Sequence, residues 1–231
     1  MDHSTDVAVA LTEAAKAIHS PRTLDETLRA IVEAAQDAVP GMNHVGISLS
    51  HRNGKIETLA GTDELVWDLD AVQYDLDEGP CVSSVKEDPV VVVEHIRHDQ
   101  RWPNYVPRAV EAGLRAQLAL RLYTDQDTLG GLNLYSTRSE TISPDAVQMA
   151  ELFATHAAIA LDRARYDHQL NEALASRKAI GQAIGLIMQR YQIDEDRAFH
   201  FLIRASSTSN IKLRAVAEEV VNSANQQFQQ A

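Results

Sequence analysis

Val45-Gly46-Ile47-Ser48-Leu49-Ser50-His51-Arg52-Asn53-Gly54-Lys55-Ile56-Glu57-Thr58-Leu59-Ala60 is the stretch that decides the fold of the larger part of this chain. Val45, Ile47 and Leu49 alternate with Gly46, Ser48 and Ser50, a period of two that sends the apolar side chains to one face of a strand. Arg52-Asn53-Gly54-Lys55 supplies turn chemistry, and a second short run follows at Ile56–Ala60. The pattern predicts an antiparallel hairpin.

Upstream of the hairpin the period is helical. Val7, Leu11, Ala14, Ala15 and Ile18 mark a first helix over 6–19, which Ser20-Pro21 breaks. Thr23-Leu24-Asp25-Glu26 then reads as a capping box, with Leu24, Leu28, Ile31, Val32, Ala35 and Val39 as the buried stripe of a second helix ended by Pro40-Gly41. Downstream, strands are expected at Val90–Val93, Ala116–Leu122 and Gly130–Tyr135, with a polar turn at 124–128. Hairpins mixed with helices, without a βαβ repeat, imply an α+β domain on an antiparallel sheet flanked by helices. After Ser143-Pro144 no Gly or Pro interrupts a helical pattern through Met149, Leu152, Phe153, Ala157, Ala160 and Ala164 until Gly181. One long helix is expected to join two parts of the chain.

The second part is all helical. Ile180, Ala183, Ile184, Ile187, Met188 and Tyr191 recur at i, i+3, i+4 spacing and predict one buried face. Asp194 can cap a second helix with Ala198, Phe199, Leu202 and Ile203 inward. Ser209 or Asn210 can start a third, carrying Leu213, Val216, Ala217, Val220 and Val221. Three amphipathic helices on short links make a compact bundle, and the Gln-rich end, Gln226 to Gln230, is expected to fray.

Composition narrows the function. The chain has 231 residues, 45% hydrophobic and 23% charged, room for one ordinary domain plus a small module. No apolar run approaches the roughly 18 residues of a membrane span, and Asp2, His3 and Asp6 stand where a signal peptide would be basic and then apolar. A cytoplasmic protein is expected. Cys81 is the only cysteine and the nine histidines lack metal-ligand spacing, so neither metal nor cofactor is expected. Cys81, beside Val82 and Val85, reads as a small buried hydrophobe rather than a thiol sensor. The sequence offers no nucleophile motif and no phosphate-binding loop, which argues against an enzyme. The net charge of −12 opposes a nucleic-acid partner at first sight, but the acid is unevenly spread. Residues 1–170 hold 14 Lys and Arg against 27 Asp and Glu (−13), whereas 171–231 hold 7 against 6 (+1).

Glu78-Gly79-Pro80-Cys81, Arg101-Trp102-Pro103, Gly130-Gly131-Leu132-Asn133-Leu134-Tyr135-Ser136 and Phe153-Ala154-Thr155-His156-Ala157-Ala158-Ile159-Ala160-Leu161 together resemble the GAF family over residues 8–162. The resemblance implies a central antiparallel sheet with helices on both sides and either a small-molecule ligand, of unspecified class, or a dimerisation role. Each motif also has a structural reading: Gly79-Pro80 a turn, Gly130-Gly131 a turn or bulge, Trp102 a core anchor. His168 lies in a helix after this domain, where sensor kinases carry a phospho-accepting histidine. Only 63 residues follow it (231 − 168), without a glycine-rich nucleotide site, so it reads as a solvated helix residue.

Ile180-Gly181-Gln182-Ala183-Ile184-Gly185-Leu186-Ile187-Met188, with Asp196-Arg197-Ala198-Phe199, Leu202, Ser206, Asn210, Leu213 and Val216-Ala217, resembles the ANTAR family over 171–224, joined to the first domain by a connecting helix at 163–176. That resemblance implies stem-loop RNA binding and transcription antitermination. The core would be Ile180, Ala183, Ile187, Met188, Ala198, Phe199, Leu202, Leu213 and Ala217. Ile184 stands where many members have lysine. The candidate RNA contacts are Arg177, Lys178, Arg190, Arg204, Lys212 and Arg214, with Gln182, Ser207 and Asn210 as hydrogen-bonding partners. Arg197 is instead placed to pair with Asp194 or Glu195. The expected whole is a homodimeric, signal-responsive RNA-binding antiterminator. The competing readings are a helix-turn-helix DNA-binding regulator, for which Lys212 and Arg214 followed by Glu218 and Glu219 are poor groove chemistry, and a protein-interaction module.

Overall fold

The computed structural model describes residues 23–51, 53–124 and 127–229. The expected first helix over 6–19 lies outside them. The chain divides into two compact units, 1–165 and 166–231.

In the first unit the capping box forms as its residue types dictate. Thr23 Oγ1 accepts from the Glu26 amide at 3.3 Å while the Thr23 amide donates to Glu26 Oε2 at 3.0 Å, which starts helix α1, Leu24–Ala38. Strands β1 (His44–Ser50) and β2 (Ile56–Gly61) make the hairpin expected from period two. Helices α2 (Glu64–Leu76) and α3 (Pro80–Lys86), strand β3 (Val90–Val93), a 3₁₀ turn at Ile96–His98 and helix α4 (Tyr105–Glu111) precede the long hairpin of β4 (Ala116–Tyr123) and β5 (Thr128–Ser136). The sheet order is β2-β1-β5-β4-β3, every neighbouring pair antiparallel. At Gly130 a Cβ would meet the Ser48 carbonyl oxygen at 1.8 Å, so glycine is required for β5 to approach β1 this closely.

Alternation along the strands splits the sheet into two unlike faces. Val45 and Ile47, Leu118, Leu120 and Leu122, and Leu132 and Leu134 pack with Ile31, Val32 and Ala35 of α1 and with Phe153 and Ala157 of helix α5 (Pro144–Tyr191). The opposite residues, Gly46, Ser48, Gln117, Asn133 and Tyr135, are buried too. They lie under α2, α3 and α4, whose Val66, Leu69, Tyr105 and Val106 form a second cluster with Trp102.

The second unit contains the C-terminal part of α5, helix α6 (Glu195–Ser209) and helix α7 (Leu213–Gln229). Asp194 caps α6, its Oδ1 accepting from the Arg197 amide at 2.8 Å. Ala179, Ala183, Ile187, Ala198, Leu202, Val216 and Ala217 are the buried core, and Ile180, Met188 and Leu213 pack half-buried against it.

Two details differ from expectation. Asn210 does not start the third helix; it closes α6 in the left-handed region (φ 55°), which Asn tolerates, and α7 begins at Leu213. Phe199, Ile203 and Tyr191 are 38%, 37% and 52% exposed. Phe199 and Ile203 each follow a fully buried residue, Ala198 and Leu202, by one position, about 100° around the helix, which turns them away from the buried line.

Candidate nucleic-acid interface and sensor chamber

The polar face of the sheet is a site that sequence reading missed. Period-two polar residues are ordinarily assigned to solvent, yet here Ser48, Asn133, Tyr135 and Gln117 meet Asp70 and Gln73 from α2, all of them buried. Asp70 has no cation beside it among the described residues. Its Oδ2 accepts from Thr58 Oγ1 at 2.6 Å, and its Oδ1 accepts from Asn133 Nδ2 at 3.2 Å, Gln73 Nε2 at 3.3 Å and, in a very short contact, the Tyr135 hydroxyl. Burial pushes the carboxyl up to about 6, while the neutral donors, Thr58 first, partly hold it down.

Cys81 lies in the same buried polar cluster, 3.0 Å from Asn133 Nδ2 and 3.4 Å from Ser48 Oγ, and Tyr74 hydroxyl contacts Ser48 Oγ at 2.7 Å. Burial raises the Cys81 thiol to about 12, so at neutral pH it is a protonated, unreactive group. Cys81 is therefore buried as expected, but among hydroxyls and amides as well as the apolar Val82. Asn133 Oδ1 is the buried side-chain oxygen or nitrogen without a hydrogen-bond partner among the described residues. Outside Tyr74, a groove of about 480 Å³ is lined by Thr58, Trp67, Tyr74, Asp75 and Val82.

Gly79 and Trp102 have structural work here. Gly79 sits at φ 112° where a Cβ would overlap the Gln73 amide at 2.5 Å, and that amide oxygen accepts from the Cys81 N–H at 2.9 Å. Trp102 is buried and donates its Nε1–H to Ser83 Oγ at 3.2 Å. Among the described residues no cluster of His, Cys, Asp and Glu could hold a metal.

In the second unit the candidate cations divide by partner. Arg177, Lys178, Arg190, Arg204 and Lys212 are exposed, as are Gln182, Ser207 and Asn210. Arg214 is committed: its Nε lies 2.8 Å from Glu218 Oε1 and its Nη1 3.5 Å from Glu172 Oε1, and the Glu218 hydrogen bond raises its pKa further. Arg197 Nε lies 3.6 Å from Asp194 Oδ2. His168 Nε2 lies 3.7 Å from Glu172 Oε2 in a solvated i,i+4 pair. Unpaired, exposed cations on a small helical frame can reach phosphates, whereas Arg214 must first leave two carboxylates.

Comparison with known proteins agrees with this division. A GAF domain family model matches residues 21–162 and an ANTAR domain model matches residues 168–221. A search of curated proteins finds no match. Among solved structures, the chain is similar to the GAF domain of a phosphoenolpyruvate-protein phosphotransferase from Coxiella burnetii (TM-score 0.59, 14% identity, 73% of this chain and 99% of that one). The corresponding domain from Acinetobacter gives TM-score 0.57 at 14% identity, again over 73% and 99%. Free methionine-R-sulfoxide reductase from Neisseria meningitidis, solved with its substrate, gives TM-score 0.53 at 12% identity, over 72% and 95%. At these identities the likeness concerns the fold alone. GAF is a signal-sensing domain and ANTAR an RNA-binding antitermination module.

Proposed function

Because the chain belongs to the GAF family over 21–162 and carries an ANTAR domain over 168–221, we propose that it is a signal-responsive RNA-binding regulator, acting as a transcription antiterminator on stem-loops in nascent RNA. The observation that carries this reading is the bundle of α6, α7 and the end of α5. It is matched along nearly its whole length and presents five exposed cations without carboxylate partners among the described residues, in an otherwise acidic chain. Arg177, Lys178, Arg190, Arg204 and Lys212 would hold phosphates, and Gln182, Ser207 and Asn210 would meet base edges or sugars. The protein acts without catalysis or cofactor, in the cytoplasm, as a homodimer. No helix among the described residues is long and apolar enough to cross a membrane.

The input would be a small molecule entering from the groove outside Tyr74. Seating it requires Tyr74 to move, which would expose Ser48, Cys81 and the unpartnered Asn133 oxygen to the ligand. DNA reading by α7 is disfavoured, since Arg214 is held by Glu218 and Glu172.

The test is binding of the full chain to stem-loop RNA and to duplex DNA across a salt series. RNA should bind more tightly. Lys212→Ala should flatten the slope of log affinity against log salt by roughly 0.7 to 0.9, while Arg214→Ala changes it less. Equal or stronger binding to duplex DNA sinks the proposal.

A further inference from the structure

The second unit holds a groove of about 680 Å³ between the last turns of α5, the middle of α6 and the outer side of α7. Its size suits a small flat ligand. Tyr191 and Phe201 supply its aromatic wall, 52% and 47% exposed, with ring centroids 5.6 Å apart and planes inclined at 33°. The two rings touch each other, so a planar ligand would lie on their outer faces and not between them. The Arg190 guanidinium stands 5.8 Å from the Tyr191 ring, and Glu219 faces the same groove from α7. Neither Arg190 nor Glu219 has an ion-pair partner among the described residues.

This combination restricts the occupant. Exposed aromatic faces beside a free guanidinium are stacking surfaces for nucleobases, with the cation placed to draw the adjoining phosphate. A carboxylate repels phosphate, so within a nucleic-acid groove Glu219 must face N–H donors on a base edge. Guanine presents two adjacent donors, N1–H and N2–H, which match the two oxygens of one carboxylate; other bases present fewer there. We propose that this groove seats one unpaired guanine of the bound RNA loop, stacked on the outer face of the Tyr191–Phe201 pair, with its Watson–Crick edge on Glu219 and its phosphate near Arg190. The proposal rests on the RNA-binding reading above and assigns a base-reading site to it.

The experiment uses the full chain and four stem-loop RNAs that share one stem and carry loops of a single base each, U, A, C or G. The guanine loop should bind most tightly. Phe201→Ala, at a half-exposed position, should weaken that RNA by roughly tenfold, the worth of one stacked base, without altering the salt slope. Glu219→Gln, on the exposed side of α7, should reduce the preference for guanine over the other three and needs no core rearrangement. Unchanged affinities in both variants, or equal losses for all four loops with Glu219→Gln, overturn the base site and leave the wider function standing. Loss of self-association in Phe201→Ala with RNA binding intact also overturns it, since a second copy would then cover the groove. Failure to bind any of the four RNAs overturns both.

Discussion

Asp70 shows what a single buried carboxylate does when every neighbour is neutral. Four donors satisfy its oxygens, but Tyr135, Asn133, Gln73 and Thr58 bring no positive charge, and burial outweighs them to raise its pKa to about 6 from 3.8. The folded state therefore binds this proton more readily than the unfolded chain. Between about 3.8 and about 6 the native protein carries the extra proton, so stability from this group falls as pH rises through that window and is lowest above it. That shift corresponds to roughly 3 kcal/mol. Denaturant midpoints should thus rise on moving from near-neutral pH to about 5, and Asp70→Asn should flatten that rise. A variant retaining the full pH dependence would place the proton elsewhere. Nothing in the sequence flagged Asp70. It lies among eleven acidic residues and one cysteine between Asp63 and Asp99, and only the covering of the polar sheet face by α2 distinguishes it. The pairing of Arg214 with Glu172, 42 positions away, was equally illegible, because it depends on how α7 lies beside α5.

At the scale of elements, more could be read in advance. The capping box of α1, the β1–β2 hairpin, β3 to β5 and the alanine-centred stripes of the C-terminal helices follow local rules of period and cap chemistry, and the structure contains each of them. What local rules could not supply was the second cover on the sheet. Helix α5 raises a different question. Its residues 166–175 are exposed on every side, which is a poor state for helix in water without a partner. Leu152, Ile159 and Tyr166 recur every seven residues at 42%, 54% and 67% exposure, and Leu170 and Leu174 continue as exposed apolar groups. A seven-residue apolar repeat is the spacing of a two-helix coiled coil. The full chain should sediment as a homodimer at micromolar concentration, and Ile159→Lys with Leu170→Lys should yield monomers that keep their helicity. A wild-type chain that sediments as a monomer, with or without RNA, refutes the pairing.

Across the whole molecule, acid and base are segregated along the chain: residues 1–170 sum to −13 and 171–231 to +1. That separation assigns the excess acid to the part of the chain outside the bundle proposed to bind phosphate, and it leaves covalent continuity through α5 as the evident route for a signal. A ligand in the first unit can alter RNA affinity only if the states it discriminates differ also at the second. If α5 transmits that difference as a helix, its phase must matter. Inserting two residues after Asp167 advances everything beyond by about 200°, whereas inserting seven returns the apolar repeat to within about 20° of its original face. The two-residue variant should lose the dependence of RNA affinity on changes in the buried polar cluster, such as Tyr74→Phe, while the seven-residue variant should retain it. Stem-loop titrations of each insertion with and without Tyr74→Phe make the comparison. If both insertions preserve the dependence equally, the signal does not travel by helix phase, and the two units communicate by another route or only through assembly.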